Sequence, residues 1–311
     1  MKIAFFTEMG FYGKVPRDHD NMRTEFAWMV ALDATHIPLT SNFTNNTQFD
    51  IGIIIVPKNN PRIVNIPNIR KICNKIGMMQ EGPHWYYQDK TVLEQVEYYN
   101  LLHDMDFVFA HNQSDVPYFT GICDAPVFVM PTLMIDSATG ELESVDRNGI
   151  IIGGNFVSWY GGFDSFIVAS ELGEDVYAPS MGRKKEGEET YIKHLPYMKH
   201  RDWIHALNKF KYGIHLMRTH AAGTFALNCS YLGIPCIGYY GLDTQQRLHP
   251  NLTVDLGDLV SAKNLLKLLR DDEQFYTECS IETKKLYKEL YYEDKFYTAV
   301  KEQLALLEME L

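Results

Sequence analysis

No run of the sequence approaches 18 consecutive apolar residues, so no transmembrane helix and no membrane partner are expected. The apolar start, residues 2–7, is too short for a secretory signal and reads as a first strand. There is no CxxC pair. Five cysteines, at positions 73, 123, 229, 236 and 279, are scattered and odd in number, which suits reduced, buried thiols in a cytoplasmic protein rather than a disulfide framework. No GxGxxG follows a strand-like run, which removes the usual fingerprint of a Rossmann dehydrogenase. Positive charge is in deficit: 29 Lys and Arg stand against 40 Asp and Glu, and the net charge of -11 argues against an indiscriminate nucleic-acid coat.

What is present is ordinary in bulk and uneven in detail. The 311 residues are 46% hydrophobic and 22% charged, the balance of a globular protein, and the length suits two domains at roughly 150 residues each. Residues 101–150 hold one Arg and eight acids, and residues 271–311 hold five Lys and eleven acids. Residues 183–218 reverse the balance, with nine Lys or Arg and four acids. A basic stretch inside an acidic protein suits a solvated face or a phosphate-facing surface.

Strand and helix alternate along the first half. Residues 51–56 (IGIIIV) are wholly apolar and end at Pro57, as a strand buried on both faces does. Residues 76–80, 107–110 and 127–130 read alike. Residues 21–32 carry Met22, Phe26, Met29 and Val30 at helical spacing, with Asp20 or Asn21 as N-cap. Residues 67–75 and 91–103 are further helices. The polar segment 136–148 (DSATGELESVDRN) is the domain boundary, after which the rhythm restarts. Strands are expected at 150–153, 175–177, 191–195, 212–217 and 234–239, and helices at 163–172, 201–210, 223–232 and 261–270. Leu286, Leu290, Tyr297, Val300, Leu304 and Leu307 share one face, which predicts a single long amphipathic helix at the C-terminus. The expected class is α/β, with parallel sheets and right-handed crossovers, divided as 1–145, 146–280 and a terminal helix at 281–311. Ligands of such sheets bind beyond the carboxyl ends of the strands.

Four stretches carry chemistry at those ends. Residues 212–240 (YGIHLMRTHAAGTFALNCSYLGIPCIGYY) run strand, loop, helix, Gly-x-Pro, strand. Bare amides at the helix start bind a phosphate, Gly223 lets it approach, and Arg218 adds charge. Ile152-Gly153-Gly154-Asn155-Phe156 runs a strand into a turn whose amides suit a diphosphate. Gln80-Glu81-Gly82-Pro83-His84-Trp85 places a carboxylate at a strand's end, where it suits a general base. The first loop holds Gly13, Lys14, Arg17, His19 and Arg23 with Phe11 and Tyr12, giving cations for phosphates and aromatics for stacking. Asp18-x-Asp20 and Asp104-x-Asp106 look like a metal-binding Asp-x-Asp, but that motif ends a strand and Asp104–Asp106 precedes one, so no divalent metal is required.

The frame at 212–240 resembles the nucleotide-sugar site of GT-B glycosyltransferases. In that pattern an acidic residue follows the strand and a second lies eight positions on, before Gly-x-Pro. Here those places fall on His220 and Asn228, so both carboxylates are missing. The Gly153-Gly154 turn looks like the Gly-Gly-Ser-Phe turn of bacteriophage DNA glucosyltransferases, without the basic residues that follow it there. Arg183, on a later loop, substitutes by charge only. Glu81 matches the position of the general base in those phage enzymes, and the first loop is similar to that of phage transferases.

The resemblance implies two Rossmann-like domains facing a cleft, with the terminal helix packed across both. Residues 146–280 would bind a UDP-sugar as co-substrate through Gly153, Gly154, Asn155, Arg183, Arg218, His220, Gly223, Thr224 and Asn228. Residues 1–145 would present the acceptor through Gly13, Lys14, Arg17, His19 and Arg23, with Glu81 as base. The acceptor favoured is 5-hydroxymethylcytosine in double-stranded phage DNA. The rivals are a glycan or lipopolysaccharide transferase and a non-catalytic sugar-nucleotide binder, the latter suggested by the missing acids at 220 and 228.

Overall fold

The computed structural model describes residues 1–311 except 9, 23, 42–46, 59–60, 81, 181 and 310–311. Among these described residues thirteen strands run in chain order as β1 (Ile3–Thr7), β2 (Gly13–Lys14), β3 (Thr35–Pro38), β4 (Phe49–Val56), β5 (Cys73–Gln80), β6 (Phe107–Ala110), β7 (Val127–Val129), β8 (Ile150–Ile152), β9 (Val176–Ala178), β10 (Lys193–His194), β11 (Tyr212–His215), β12 (Cys236–Tyr239) and β13 (Thr253–Val254). They form two sheets, β2-β3-β1-β4-β5-β6-β7 and β10-β9-β8-β11-β12-β13. Every pairing is parallel except the short β2–β3 edge.

The apolar runs make the strands because both sheet faces are covered. Side chains alternate across a strand. Ile51, Ile53 and Ile55 of β4 accordingly join one core with Trp28, Met29 and the C-terminal Val300 and Leu304. Ile54 and Val56 join the other with Tyr98 and Leu102. In the second sheet Ile150 and Ile152 pack with Leu266, and Ile151 packs on the opposite face with Trp203 and Leu227. Each buried isoleucine contributes about 1.5–3 kcal/mol. All five cysteines are free and buried in these cores.

Strand order reverses between β1 and β4 in the first sheet and between β8 and β11 in the second. The carboxyl ends of the two sheets approach each other: Asn112, two residues beyond β6, bonds Ala221 beyond β11 and Asp243 beyond β12. The cleft between the sheets therefore lies at both reversal points, where ligands of such folds bind.

Among the differences from the sequence reading are three helices. The first helix is Glu25–Ala31, and its N-cap is Thr24 rather than Asp20 or Asn21. Asp20 is used across the cleft instead: its carbonyl accepts the His200 N–H at 2.9 Å and its carboxylate pairs with Lys199 at 2.7 Å. The helix expected at 67–75 is only Ile66–Ile69, because β5 already begins at Cys73. The single C-terminal helix is two, Glu273–Leu290 and Glu293–Met309, broken at Tyr291. Cys279 and Tyr287 of the first belong to the cores of the second sheet, while Phe296, Val300, Leu304 and Leu307 of the other belong to a core of the first sheet. The break turns one amphipathic face toward each sheet.

Candidate functional site

The donor-side residues proposed from sequence divide by what holds them. The Gly153 amide donates to the Ile214 carbonyl at 2.8 Å, so pairing continues one residue beyond β8. Gly154 is pressed against the next loop: a Cβ there would lie 2.2 Å from the Tyr160 carbonyl oxygen. The glycine pair is thus first a packing requirement. Asn155 is wholly buried; it donates to the Arg183 carbonyl and accepts the Val157 N–H at 3.1 Å. It ties two loops together, and the Arg183 residue it holds is exposed.

The turn after β11 is built differently. His215, at the strand's end, is buried against Gly153 and Phe225, and burial pushes its pKa down to about 4, so it is neutral. Arg218 places Nε and Nη2 each 3.1 Å from Oδ2 of Asp164, and that oxygen also accepts the Tyr239 hydroxyl at 2.8 Å. The Asp164 side chain is 8% exposed and that of Arg218 is 62% exposed, so one edge of the guanidinium is anchored and the other is open to solvent. Gly223, at φ 70°, precedes the helix Thr224–Leu232. A glycine has no side chain to cap the first-turn amides, so they and the positive end of the helix dipole open at this turn. His220 lies across the cleft from Ser114, Nδ1 to Oγ 3.3 Å, and burial lowers its pKa.

Gly153, Thr224 and Asn228 share the wall of a cavity of about 130 Å³ with Trp203 and His200; Met22, Thr24 and Met134 close it. Asn228 Oδ1 accepts the Trp203 indole N–H at 2.9 Å, and its Nδ2 lies 2.8 Å from Met134 Sδ. A carbonyl oxygen has two lone pairs, so one remains for a ligand hydroxyl.

The first loop is more self-contained than its composition suggested. Lys14 pairs with Asp33 at 2.9 Å. Arg17 meets both carboxylate oxygens of Glu293, at 2.9 and 2.6 Å, and Ser137 at 3.2 Å. His19 accepts the Asn21 N–H at 3.1 Å, and its ring centre lies 4.6 Å from that of Phe26 at a tilt of 43°. Gly13 lies in β2 at φ 136°. Arg23 and Glu81 lie outside the described residues.

Sequence reasoning passed over three groups. Asp164 sits in the first turn of the helix Gly162–Ala169, and a carboxylate just after Gly161-Gly162 was its only signal. Trp203 falls on the helix His200–Leu207 and faces Asn228 from 25 residues away. His84, three residues after Glu81, places Nδ1 2.9 Å from Oδ1 of Asp115, which is 3% exposed and also accepts from Asn112 at 3.1 Å. Among the described residues no group of three or more His, Cys, Asp or Glu could hold a metal ion, and no helix is long and apolar enough to cross a membrane.

Two facing parallel sheets, helices on both sides of each and a C-terminal segment shared between them constitute the GT-B glycosyltransferase fold. HepE from Anabaena, solved with UDP, is similar in structure at a TM-score of 0.68 and 10% identity, covering 98% of this chain and 100% of that one. Sucrose-phosphate synthase from Thermosynechococcus elongatus is similar at a TM-score of 0.64 and 9% identity, covering all of both chains. An α,α-trehalose 6-phosphate synthase from Burkholderia multivorans is similar at 0.60 and 11%, covering 84% of this chain and 71% of that one. No family model matches the sequence, and no curated protein matches it.

Proposed function

We propose that the protein is a glycosyltransferase that moves a sugar from a UDP-sugar to an acceptor hydroxyl. The observation that carries this reading is the turn after β11: Arg218 held on Asp164, then Gly223 opening a helix into the cleft. HepE, similar in fold over the whole chain, is described in complexes with UDP and with UDP-glucose. In this reading residues 146–280 hold the donor, residues 1–145 present the acceptor, and 281–311 join them. The acceptor oxygen bonds to the anomeric carbon, and the bond from that carbon to the diphosphate breaks. The electron pair leaves with UDP, and the acceptor's proton passes to Glu81. Arg218 and the first-turn amides stabilise the charge that develops on the diphosphate.

Arg218→Ala is the direct test of the donor site. A hydrogen bond to a charged group contributes about 1.5–3 kcal/mol. The variant should weaken UDP binding by roughly 10- to 100-fold in calorimetry. Unchanged affinity in a folded variant would move the donor elsewhere. Asp164 gives an internal check, because without it Arg218 loses its anchor.

The finer reading is that the acceptor is 5-hydroxymethylcytosine in duplex DNA. Lys14 and Arg17 are already paired with acids, and Lys184 pairs with Glu189 at 3.3 Å, so its support rests on the basic stretch 183–218 through the exposed Arg183 and Lys185. If those cations meet phosphates, DNA affinity must fall steeply as salt rises. Mass spectrometry of hydroxymethylated duplex DNA and of a glycan panel, each incubated with several nucleotide sugars, separates the acceptors. Transfer to a glycan with no DNA binding at low salt selects the glycan transferase. UDP binding without transfer or donor hydrolysis selects the non-catalytic binder.

A further inference from the structure

Asn112 follows β6 in the first half of the chain, yet most of its partners are in the second half. It is 2% exposed. Its Oδ1 accepts the Asp243 N–H at 3.0 Å, and its Nδ2 donates to the Ala221 carbonyl at 3.0 Å and to Asp115 at 3.1 Å. The Gln113 N–H donates to Asp243 Oδ2 at 2.9 Å. Ser114 Oγ donates to the Gly241 carbonyl at 2.9 Å. One residue beyond Asp243, the Thr244 hydroxyl donates to the Gly223 carbonyl at 3.0 Å.

These bonds grip the turn 221–223 at both ends. A trans peptide is planar, so its carbonyl and the following N–H point in opposite directions. Holding the Ala221 carbonyl toward Asn112 turns the Ala222 N–H away from it. Holding the Gly223 carbonyl toward Thr244 turns the Thr224 N–H away in the same manner. Both amides belong to the turn that opens the helix Thr224–Leu232.

We propose that Asn112 and Thr244 are positioning residues for the donor's diphosphate: Asn112 holds the Ala221 carbonyl from across the cleft and Thr244 holds the Gly223 carbonyl from within the same half, so the amides of the turn 221–224 are gripped at both ends only when the halves are closed. The inference rests on the donor reading above. Nothing in the sequence near Asn112 announces it, because its partners lie 109 and 131 residues away.

Asn112→Ala, Thr244→Val and Ser114→Ala test it, with UDP as the probe in calorimetry and UDP-glucose as the donor in kinetics. Thr244→Val keeps the side chain's shape and removes only the hydroxyl, so it stays informative if Asn112→Ala unfolds. The first two variants should each weaken UDP binding by about tenfold, the effect of one to two neutral hydrogen bonds. The donor KM should rise in proportion, and the melting temperature should stay within a few degrees of wild type. Ser114→Ala keeps both grips on the turn but removes the bonds to the Gly241 carbonyl and to His220, so it should weaken UDP binding by no more than about threefold. UDP affinity within twofold of wild type in Thr244→Val and in any folded Asn112→Ala overturns the proposal, as does an equal loss in Ser114→Ala. A wild-type protein that binds no UDP overturns the donor reading itself, and this inference with it.

Discussion

Glu81→Gln is expected to lower kcat by about 10²–10⁴-fold, the usual contribution of a general base, while UDP affinity changes by less than about threefold, roughly 0.6 kcal/mol. The substitution keeps the shape of the side chain and removes its basicity. The flanks of the position are fixed even though Glu81 itself lies outside the described residues. Gln80, at the end of β5, is 2% exposed; its side chain accepts from the Tyr98 hydroxyl and donates to the Pro83 carbonyl. Gly82 takes φ 90°, a left-handed turn that a side chain would strain. His84 then closes on Asp115. Gln80 and His84 are thus each held by hydrogen bonds at the carboxyl edge of β5. Steady-state kinetics with the donor saturating and the acceptor varied gives the decisive split. A loss confined to kcat assigns proton removal to Glu81. A raised acceptor KM with kcat spared assigns it to orienting the acceptor, with the donor phosphate taking the proton. Normal values in both remove Glu81 from the mechanism.

Local patterns in the sequence carry most of the strands and helices of both sheets. IGIIIV at 51–56 could only be a strand covered on two faces, and β4 runs through it. Gly233 stands at the C-cap of the helix Thr224–Leu232 with φ 71°, where only a residue tolerant of the left-handed region ends a helix cheaply. β3 escaped notice because Thr35-His36-Ile37-Pro38 alternates poorly; His36 is buried through a bond to Thr7 rather than by apolarity. The break at Tyr291 was also hidden, because the apolar spacing on either side of it is nearly in phase.

The candidate site is read from the sequence as glycines, cations and their order, but not as partners. Arg17 looked like a phosphate ligand until Glu293, 276 residues away, was found to hold it. Arg218 looked free until Asp164 anchored it, and Asn155 looked like a ligand contact before its tie to Arg183 appeared. Periodicity reports which face of an element is buried. It carries no information on which charge across 50 or 200 residues completes an ion pair.

Gly223→Ala should weaken UDP binding by at least about 100-fold, the equivalent of losing two charge-assisted hydrogen bonds at about 1.5–3 kcal/mol each. Two costs combine at this position. The backbone is at φ 70°, a region that costs a non-glycine residue about 1–3 kcal/mol. A Cβ would also lie 2.2 Å from the Thr244 hydroxyl and 3.2 Å from Leu242, so Thr244 must leave its bond to the Gly223 carbonyl. Either escape rotates the peptides at the start of the helix Thr224–Leu232, and the first-turn amides would no longer converge on a diphosphate bound there as proposed. Gly233 is the matched control at the other end of the same helix. It shares the left-handed φ, 71°, but its Cβ would meet nothing closer than the Ser280 carbonyl at 3.2 Å. Gly233→Ala should therefore lower the melting temperature by only about 2 °C, as about 1 kcal/mol does in a chain of this size, and leave UDP affinity intact. Differential scanning calorimetry and UDP titration of the two variants side by side separate backbone strain from loss of the site. Equal melting shifts with equal, near-wild-type UDP affinities would show that the helix start at Gly223 bears no donor.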